Sequence, residues 1–576
     1  MADVRRVLEA RLRTAFDVVS PGADPVLRPS DHADFQANGA LPLARALGRE
    51  PREVAADVVA AADLDDVCAS VEISGPGFVN LTLADSYVAA ELAAVARDVR
   101  LGVAPVAEPR RTVVDYSAPN VAKEMHVGHL RGTIIGDALC RVLGFLGDEV
   151  VRENHLGDWG TPFGMLIEHL VDVGESEAVE ELSVGDLDGF YRDARAAFDA
   201  SEDLRERSRR RVVALQSGDV ETLRLWRVLV AESVRYFDDV YRKLGVLLGP
   251  DDVAGESAYN EMLPSVVSDL EAAGLLVESD GARCVFPPGF ENREGDPLPL
   301  IVQKSDGGFG YAATDLASIR DRVDRVGAAR LLYVVGAPQS QHLAMCFAVA
   351  HLAGWLPEGV EAVHVAFGSV LGPDHKMLRS RAGRSVKLSS LLDEAVERAE
   401  ATVAASGRDP AGSRAAVARA VGIGAVKYAD LSTERSRDYV FDWDRMLAFD
   451  GRTAPYLQYA HARIRSVLRR PEAVAAGAGD APVAPSVREP AERALALELL
   501  GFEAAVRAVA DELAPSVLAS YLYDLATAFT AFYETCPIAK APEQATRESR
   551  LLLARLAADV LALGLDLLGI EAPDSM

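Results

Sequence analysis

Between Asp115 and Asp137 the chain reads Asp-Tyr-Ser-Ala-Pro-Asn-Val-Ala-Lys-Glu-Met-His-Val-Gly-His-Leu-Arg-Gly-Thr-Ile-Ile-Gly-Asp, which sets His126, Gly128 and His129 where an apolar run gives way to a helical pattern. Two imidazoles at i and i+3 share one face of a first helical turn, and the free N–H groups and positive dipole end of that turn favour an anion. Gly128 puts no side chain between the rings, so a purine or a phosphate can approach the backbone. The same spacing also suits a metal, with His155 as a third ligand, or plain capping of the helix. Lys123 tilts the reading toward phosphate, because a mobile ammonium three residues before His126 serves an anion and not a metal ion.

Far downstream, Asp374-His375-Lys376-Met377-Leu378-Arg379-Ser380-Arg381-Ala382-Gly383 is a basic, glycine-bounded loop. Alone it reads as a solvated turn. Paired with the histidine turn it suits nucleotidyl transfer, in which cations stabilise charge spreading over the α-phosphate and the departing pyrophosphate.

These residues need a scaffold. A strand over Thr112–Tyr116, a turn with Pro119 and Asn120, and a helix from about Val127 to Phe145 carry the first motif. From Arg111 to about Leu392 strands at Val150–Asn154, Leu298–Gln303, Leu331–Val335 and Ala362–Val365 alternate with helices, which predicts a parallel sheet with its ligand over the carboxyl ends of the strands. The charged helical stretch between about 175 and 295, with helices near Leu187–Gln216 and Val220–Leu244, reads as an insertion. Residues 1–105 form a small α+β unit, with helices near Asp3–Val19, Leu41–Leu47 and Pro51–Ala62, strands near Val67–Ser74 and Gly77–Leu83, and a Pro-containing close at Gly102–Pro109. After Leu391 the pattern is helical apart from the low-complexity segment Ala473–Pro485. The expected architecture is multidomain α/β: the α+β unit at 1–105, a Rossmann-like catalytic domain at 106–392, a helical connector at 393–445 and an all-α domain at 446–576.

The 576 residues can bury several cores, and the five cysteines form no Cys-x-x-Cys pair, which argues against a disulfide framework or a thiolate zinc site. A reduced, cytoplasmic chain is expected, without a leader or a membrane span. The net charge of −27 is spread along the chain, and only 7 of the 60 basic residues are lysine. Acid excess with scarce lysine is expected of a protein working in concentrated salt, where self-repulsion is screened; a GC-rich genome would also favour arginine. Such charge does not exclude RNA, because phosphate contacts depend on local basic patches.

The chain resembles the class I aminoacyl-tRNA synthetases and, among them, the arginyl-tRNA synthetase family, over essentially its whole length. Beyond the histidine turn the resemblance rests on the order of Asn154-His155-Leu156-Gly157-Asp158-Trp159-Gly160, Leu215-Gln216-Ser217-Gly218-Asp219, Gln303-Lys304-Ser305-Asp306-Gly307-Gly308, Tyr311-Ala312-Ala313-Thr314-Asp315, Pro455-Tyr456-Leu457-Gln458-Tyr459-Ala460-His461-Ala462-Arg463 and Leu568-Gly569-Ile570-Glu571-Ala572-Pro573. It implies ATP-dependent activation of L-arginine to arginyl-adenylate, with magnesium accompanying the ATP, and transfer of the arginyl group to the 3′ end of tRNA(Arg). It also implies a monomer and, with the salt-adapted composition, a halophilic archaeal source. Activation in this family usually requires bound tRNA.

By the same resemblance His126, Gly128 and His129 hold the nucleotide, and Lys376 and Arg379 belong to a catalytic loop. The family pattern has lysine where Arg379 stands, and Lys123 supplies the missing charge. A buried guanidinium needs carboxylates. The resemblance puts Asp115, Tyr311 and Asp315 around it, with Ser117, Asn120 and Gln339 at the α-amino and carboxylate ends. Tyr456, Tyr459 and Arg463 share a helix face and offer two rings beside a cation, which suits unstacked anticodon bases or simple inward packing. Met576 is expected near the same RNA loop, and Phe35, Gln36 and Asn38 match a segment that touches the tRNA elbow. Three other readings fit some of these residues: a related nucleotidyltransferase, a non-catalytic tRNA-binding paralogue, and a metal hydrolase on His126, His129 and His155.

Overall fold

The computed structural model describes residues 4–30, 32–183, 187–379, 386–405, 413–476 and 485–576. The loop residues Ser380 to Gly383 and most of the Ala473–Pro485 segment lie outside them.

A strand covered on both faces buries consecutive residues, and β5 (Arg111–Asp115) does so with Thr112, Val113 and Val114 fully buried. It is central in a parallel four-stranded sheet of order β11-β10-β5-β6, with β6 at Glu149–Glu153, β10 at Arg330–Tyr333 and β11 at Glu361–His364. In-register pairing aligns Tyr333, Asp115 and Glu153 at the carboxyl ends of three neighbouring strands. The chain leaves β5 for β6 on one side and returns to β10 on the other, so a topological switch point opens between β5 and β10. The helix Val127–Leu146 makes the first crossover and stops at Gly147, whose φ of 104° suits a residue without Cβ.

Before this sheet comes an antiparallel sheet of order β1-β2-β4-β3, formed by Leu27–Pro29, Phe35–Ala37, Cys68–Ser74 and Phe78–Leu83. Helices Val4–Val19, Ala40–Leu47, Pro51–Ala61 and Asp85–Val95 accompany it. The first two strands have only three residues each, too short for alternation to register in the sequence.

The insertion forms helices at Glu175–Ser183, Leu187–Ala200, Glu202–Gln216 and Val220–Leu244. The run expected as one helix to Gln216 is broken at Ser201, whose Oγ caps the next helix by accepting the Leu204 N–H at 3.2 Å. One strand is corrected: Leu300–Gln303 (β9) leaves the parallel sheet and pairs antiparallel with β8 (Ala282–Val285), which pairs with β7 (Val277–Ser279). Antiparallel neighbours need only short connections, and β8 is close along the chain.

Later segments are helical, apart from β13 (Tyr439–Val440), which pairs with β12 (Val370–Leu371). Helices Leu388–Ala405 and Arg414–Leu431 pack together, and Ala454–Leu468, Pro515–Thr535 and Gln544–Leu567 form the largest part of the final helical unit. A buried ionic junction joins these helices to the crossover helix. Arg131 donates from Nε to Asp430 at 3.1 Å and from Nη1 to the Arg437 carbonyl at 2.7 Å. Lys427 donates to the Leu244 carbonyl at 3.1 Å and lies 3.9 Å from Asp137. Burial pushes the Asp430 carboxyl up to about 6 despite Arg131, and lowers Lys427 to about 8 despite Asp137.

Candidate active site

The turn after β5 carries backbone strain. Ser117, Ala118 and Ala122 have φ values of 75°, 46° and 58°, conformations that side chains other than glycine rarely adopt. The surroundings hold them there: the Ala118 N–H donates to Asn154 Oδ1 at 3.1 Å, and the Ala122 N–H to Ser233 Oγ at 3.0 Å. Ser117 Oγ lies 2.8 Å from both Tyr241 Oη and Thr133 Oγ1. Asn120 is exposed at the turn and bridges Gly157, where an added Cβ would sit 2.4 Å from Asn120 Oδ1. The Leu-Gly-Asp run of the second motif is therefore fitted against the first.

His126 and His129 cap the crossover helix. The Gly128 N–H donates to His126 Nδ1 at 3.0 Å, and the His126 N–H donates to His129 Nδ1 at 3.1 Å, with the ring centroids 4.1 Å apart. The capping and phosphate readings are thus both served by the same atoms. Because each Nδ1 accepts, each neutral ring carries its proton on Nε2 and presents an N–H donor away from the helix. Burial lowers the pKa of His126, and burial together with the neighbouring ring lowers His129 to about 4, so both are neutral at pH 7. A Cβ at Gly128 would lie 2.7 Å from His126 Cε1, so only glycine leaves room for the capping ring.

Lys123 is exposed beside this turn, its Nζ 4.5 Å from the centroid of Tyr191. Lys376 and Arg379 are exposed in and after a tight turn closed by the Gly372 N–H to the Lys376 carbonyl at 2.7 Å. Beyond the loop, Lys387 donates to buried Glu124 at 2.7 Å, and the backbone at Val386 and Leu388 pairs with Val127 and Met125.

Asp115 is met by a cation of the chain itself. Its Oδ2 accepts from Arg322 Nη2 at 2.8 Å, while Arg322 Nε donates to Glu153 Oε2 at 2.7 Å. Arg322 is fully buried and stacks 5.0 Å from the Tyr333 centroid. The chain thus supplies a guanidinium of its own to Asp115 Oδ2. The open acids lie nearby. The helix Tyr311–Asp324 begins with an exposed Tyr311 and carries Asp315 one turn later, hydrogen-bonded at 2.6 Å to His342. Half-buried Glu256 lies within the fields of Asp315 and Asp158, and burial followed by these two charges pushes its carboxyl up to about 7. Among the described residues no cation pairs with Glu256. Sequence reading missed it, because Gly-Glu-Ser in a loop carries no periodic signal. Gln339 is exposed in the turn that follows β10.

Among the described residues one group could bring three donors to a metal: Asp315, His342 and Cys346. There His342 is hydrogen-bonded to Asp315 at 2.6 Å, and burial raises the pKa of the Cys346 thiol. His126, His129 and His155 do not converge on one point.

The expected RNA residues divide. Tyr456, Tyr459 and Arg463 stay half-exposed on the helix Ala454–Leu468. Tyr456 meets Tyr523 at 5.6 Å, Tyr459 meets Phe449 at 6.3 Å, and Arg463 lies 4.2 Å over Tyr533, so they belong to a wider face of rings and arginines. Met576, half-buried, packs against the cluster of Ala399, Val403, Val417 and Val421. In the N-terminal sheet Phe35 packs against the core, Gln36 donates to Asn80 at 2.7 Å, and Asn38 turns its side-chain oxygen into a buried position without a partner.

Three family models match: the catalytic domain of class I (R) tRNA synthetases over residues 92–443, the DALR anticodon binding domain over 457–576, and the arginyl-tRNA synthetase N-terminal domain over 3–83. The chain is 56% identical to an arginine–tRNA ligase of Thermobifida fusca over 100% of both chains. It is 52% identical to one of Frankia casuarinae, covering 99% of this chain and 98% of that one. A crystal structure of arginyl-tRNA synthetase from Plasmodium falciparum superposes with a TM-score of 0.85 at 27% identity, covering 100% of each chain. The two curated relatives are bacterial and lend no support to an archaeal source.

Proposed function

The chain belongs to the arginyl-tRNA synthetases and is a ligase that joins arginine to tRNA, and on that premise we propose how its residues divide the work. His126 and His129 donate from Nε2–H to the phosphates of ATP, and Lys123 adds the positive charge that the α-phosphate and the departing pyrophosphate need. Lys376 and Arg379 contribute from the downstream loop. The carboxylate of arginine attacks the α-phosphate, pyrophosphate leaves, and a ribose hydroxyl at the tRNA 3′ end then displaces AMP from the carbonyl. Magnesium enters on the phosphate oxygens as part of the nucleotide substrate.

Asp315 and Glu256 receive the guanidinium, with Tyr311 at its edge; Ser117, Asn120 and Gln339 face the α-amino and carboxylate end. Tyr456, Tyr459 and Arg463 stack and pair with the anticodon loop, while Gln36 and Phe35 border the surface offered to the tRNA elbow. The chain acts as a monomer in the cytoplasm, and its charge balance supports work in concentrated salt.

What supports this reading is a helix start with two neutral N–H donors, together with two mutually close carboxylates, Asp315 and Glu256, that meet only His342 among the described residues. ATP–pyrophosphate exchange with tRNA present should be supported by arginine and not by citrulline, because the uncharged urea leaves the acids unmatched. Equal exchange with citrulline would remove the ionic pocket from the reading.

A further inference from the structure

The segment Ala122-Lys123-Glu124 belongs to the catalytic turn, yet the insertion holds it. The Ala122 N–H donates to Ser233 of the helix Val220–Leu244 at 3.0 Å, and the Glu124 N–H donates to Asp188 of the helix Leu187–Ala200 at 3.0 Å. One turn after Asp188, on the same helix, stands Tyr191 with the Lys123 ammonium over its ring at 4.5 Å. Both backbone neighbours of Lys123 and its side-chain charge are thus met by the insertion.

The type of partner matters. A carboxylate beside an ammonium cancels most of the field that a nearby anion would feel, whereas an aromatic face attracts the cation through its quadrupole and adds no net charge. Asp188 is the acid close by, and one of its oxygens is already taken by the Glu124 N–H. His126, three residues along, feels both groups, since Asp188 raises its pKa and Lys123 lowers it.

We infer that Tyr191 is a positioning residue for the activation step: its ring stores the Lys123 ammonium unneutralised beside His126, so that the insertion forms one wall of the ATP site. This rests on the proposed role of Lys123.

ATP–pyrophosphate exchange with arginine and tRNA tests it. Tyr191→Leu should raise the ATP KM or lower the exchange rate about tenfold, with the arginine KM little changed, while Tyr191→Phe should recover to within about twofold. Replacing Tyr191 by phenylalanines of increasing fluorine content, which keep the shape and drain the ring's negative face, should lower exchange stepwise. In a Lys123→Met background, Tyr191→Leu should add nothing. Tyr191→Phe falling as far as Tyr191→Leu, or a flat fluorine series, overturns the inference while leaving Lys123 in place. Full exchange by Lys123→Met overturns the role of Lys123 itself, and the inference with it.

Discussion

Two pairs of acids stand near the carboxyl ends of the parallel sheet, and the chain treats them oppositely. Asp115 and Glu153 share the buried guanidinium of Arg322, which reaches across from the helix Tyr311–Asp324 to lie on Tyr333. Asp315 and Glu256 lie close enough to repel each other and are given only His342. Residue type is the same in both pairs; what differs is whether the fold has already provided the counter-charge. A carboxylate at a strand end is thus part of the scaffold when a cation of the same chain saturates it, and part of a receptor when burial raises its energy and leaves it waiting.

The contrast predicts different kinds of damage. Arg322→Met should abandon two buried carboxylates and cost about 3–5 kcal/mol of stability, read from urea unfolding. A loss under about 1 kcal/mol would mean that water already reaches the pair. Asp315→Asn should do the reverse, leaving the melting curve nearly unchanged while raising the arginine KM by roughly 30- to 100-fold, the scale of one lost charge pair; a substitution that unfolds the protein instead would place Asp315 with the scaffold. The smallest effect belongs to Glu256. Because its carboxyl sits near 7, it binds a proton below that pH, and arginine must expel the proton to gain the carboxylate. The arginine KM should therefore fall by up to about tenfold as pH rises from about 6 to about 8, and Glu256→Gln should flatten that slope. An identical slope in the variant would assign it to another group.

Legibility in the sequence followed the range of the interaction. His126, Gly128 and His129 could be read because capping, donor direction and close approach are settled within four residues. The central strand could be read from its β-branched Thr112-Val113-Val114 core. Asp115 was legible as an acid at a strand end, which is local information, while its pairing with Arg322, far along the chain and on a different element, was not. Glu256 stayed hidden for the converse reason: nothing within its loop signals that folding sets it beside Asp315. Leu300–Gln303 has the composition of any buried strand, and direction of pairing is decided by neighbours that composition does not name. Tyr456 and Tyr459 are half-exposed and each meets another ring, an arrangement set by Tyr523 and Phe449 on other segments that helical spacing alone does not reveal.

The ionic junction of Arg131, Asp430, Lys427 and Asp137 has a consequence for how the molecule comes apart. Peeling the late helices from the crossover helix would strand charges on both freshly cut faces, on the same helix whose first turn His126 and His129 cap. Neither half is then a module that can be lifted out intact.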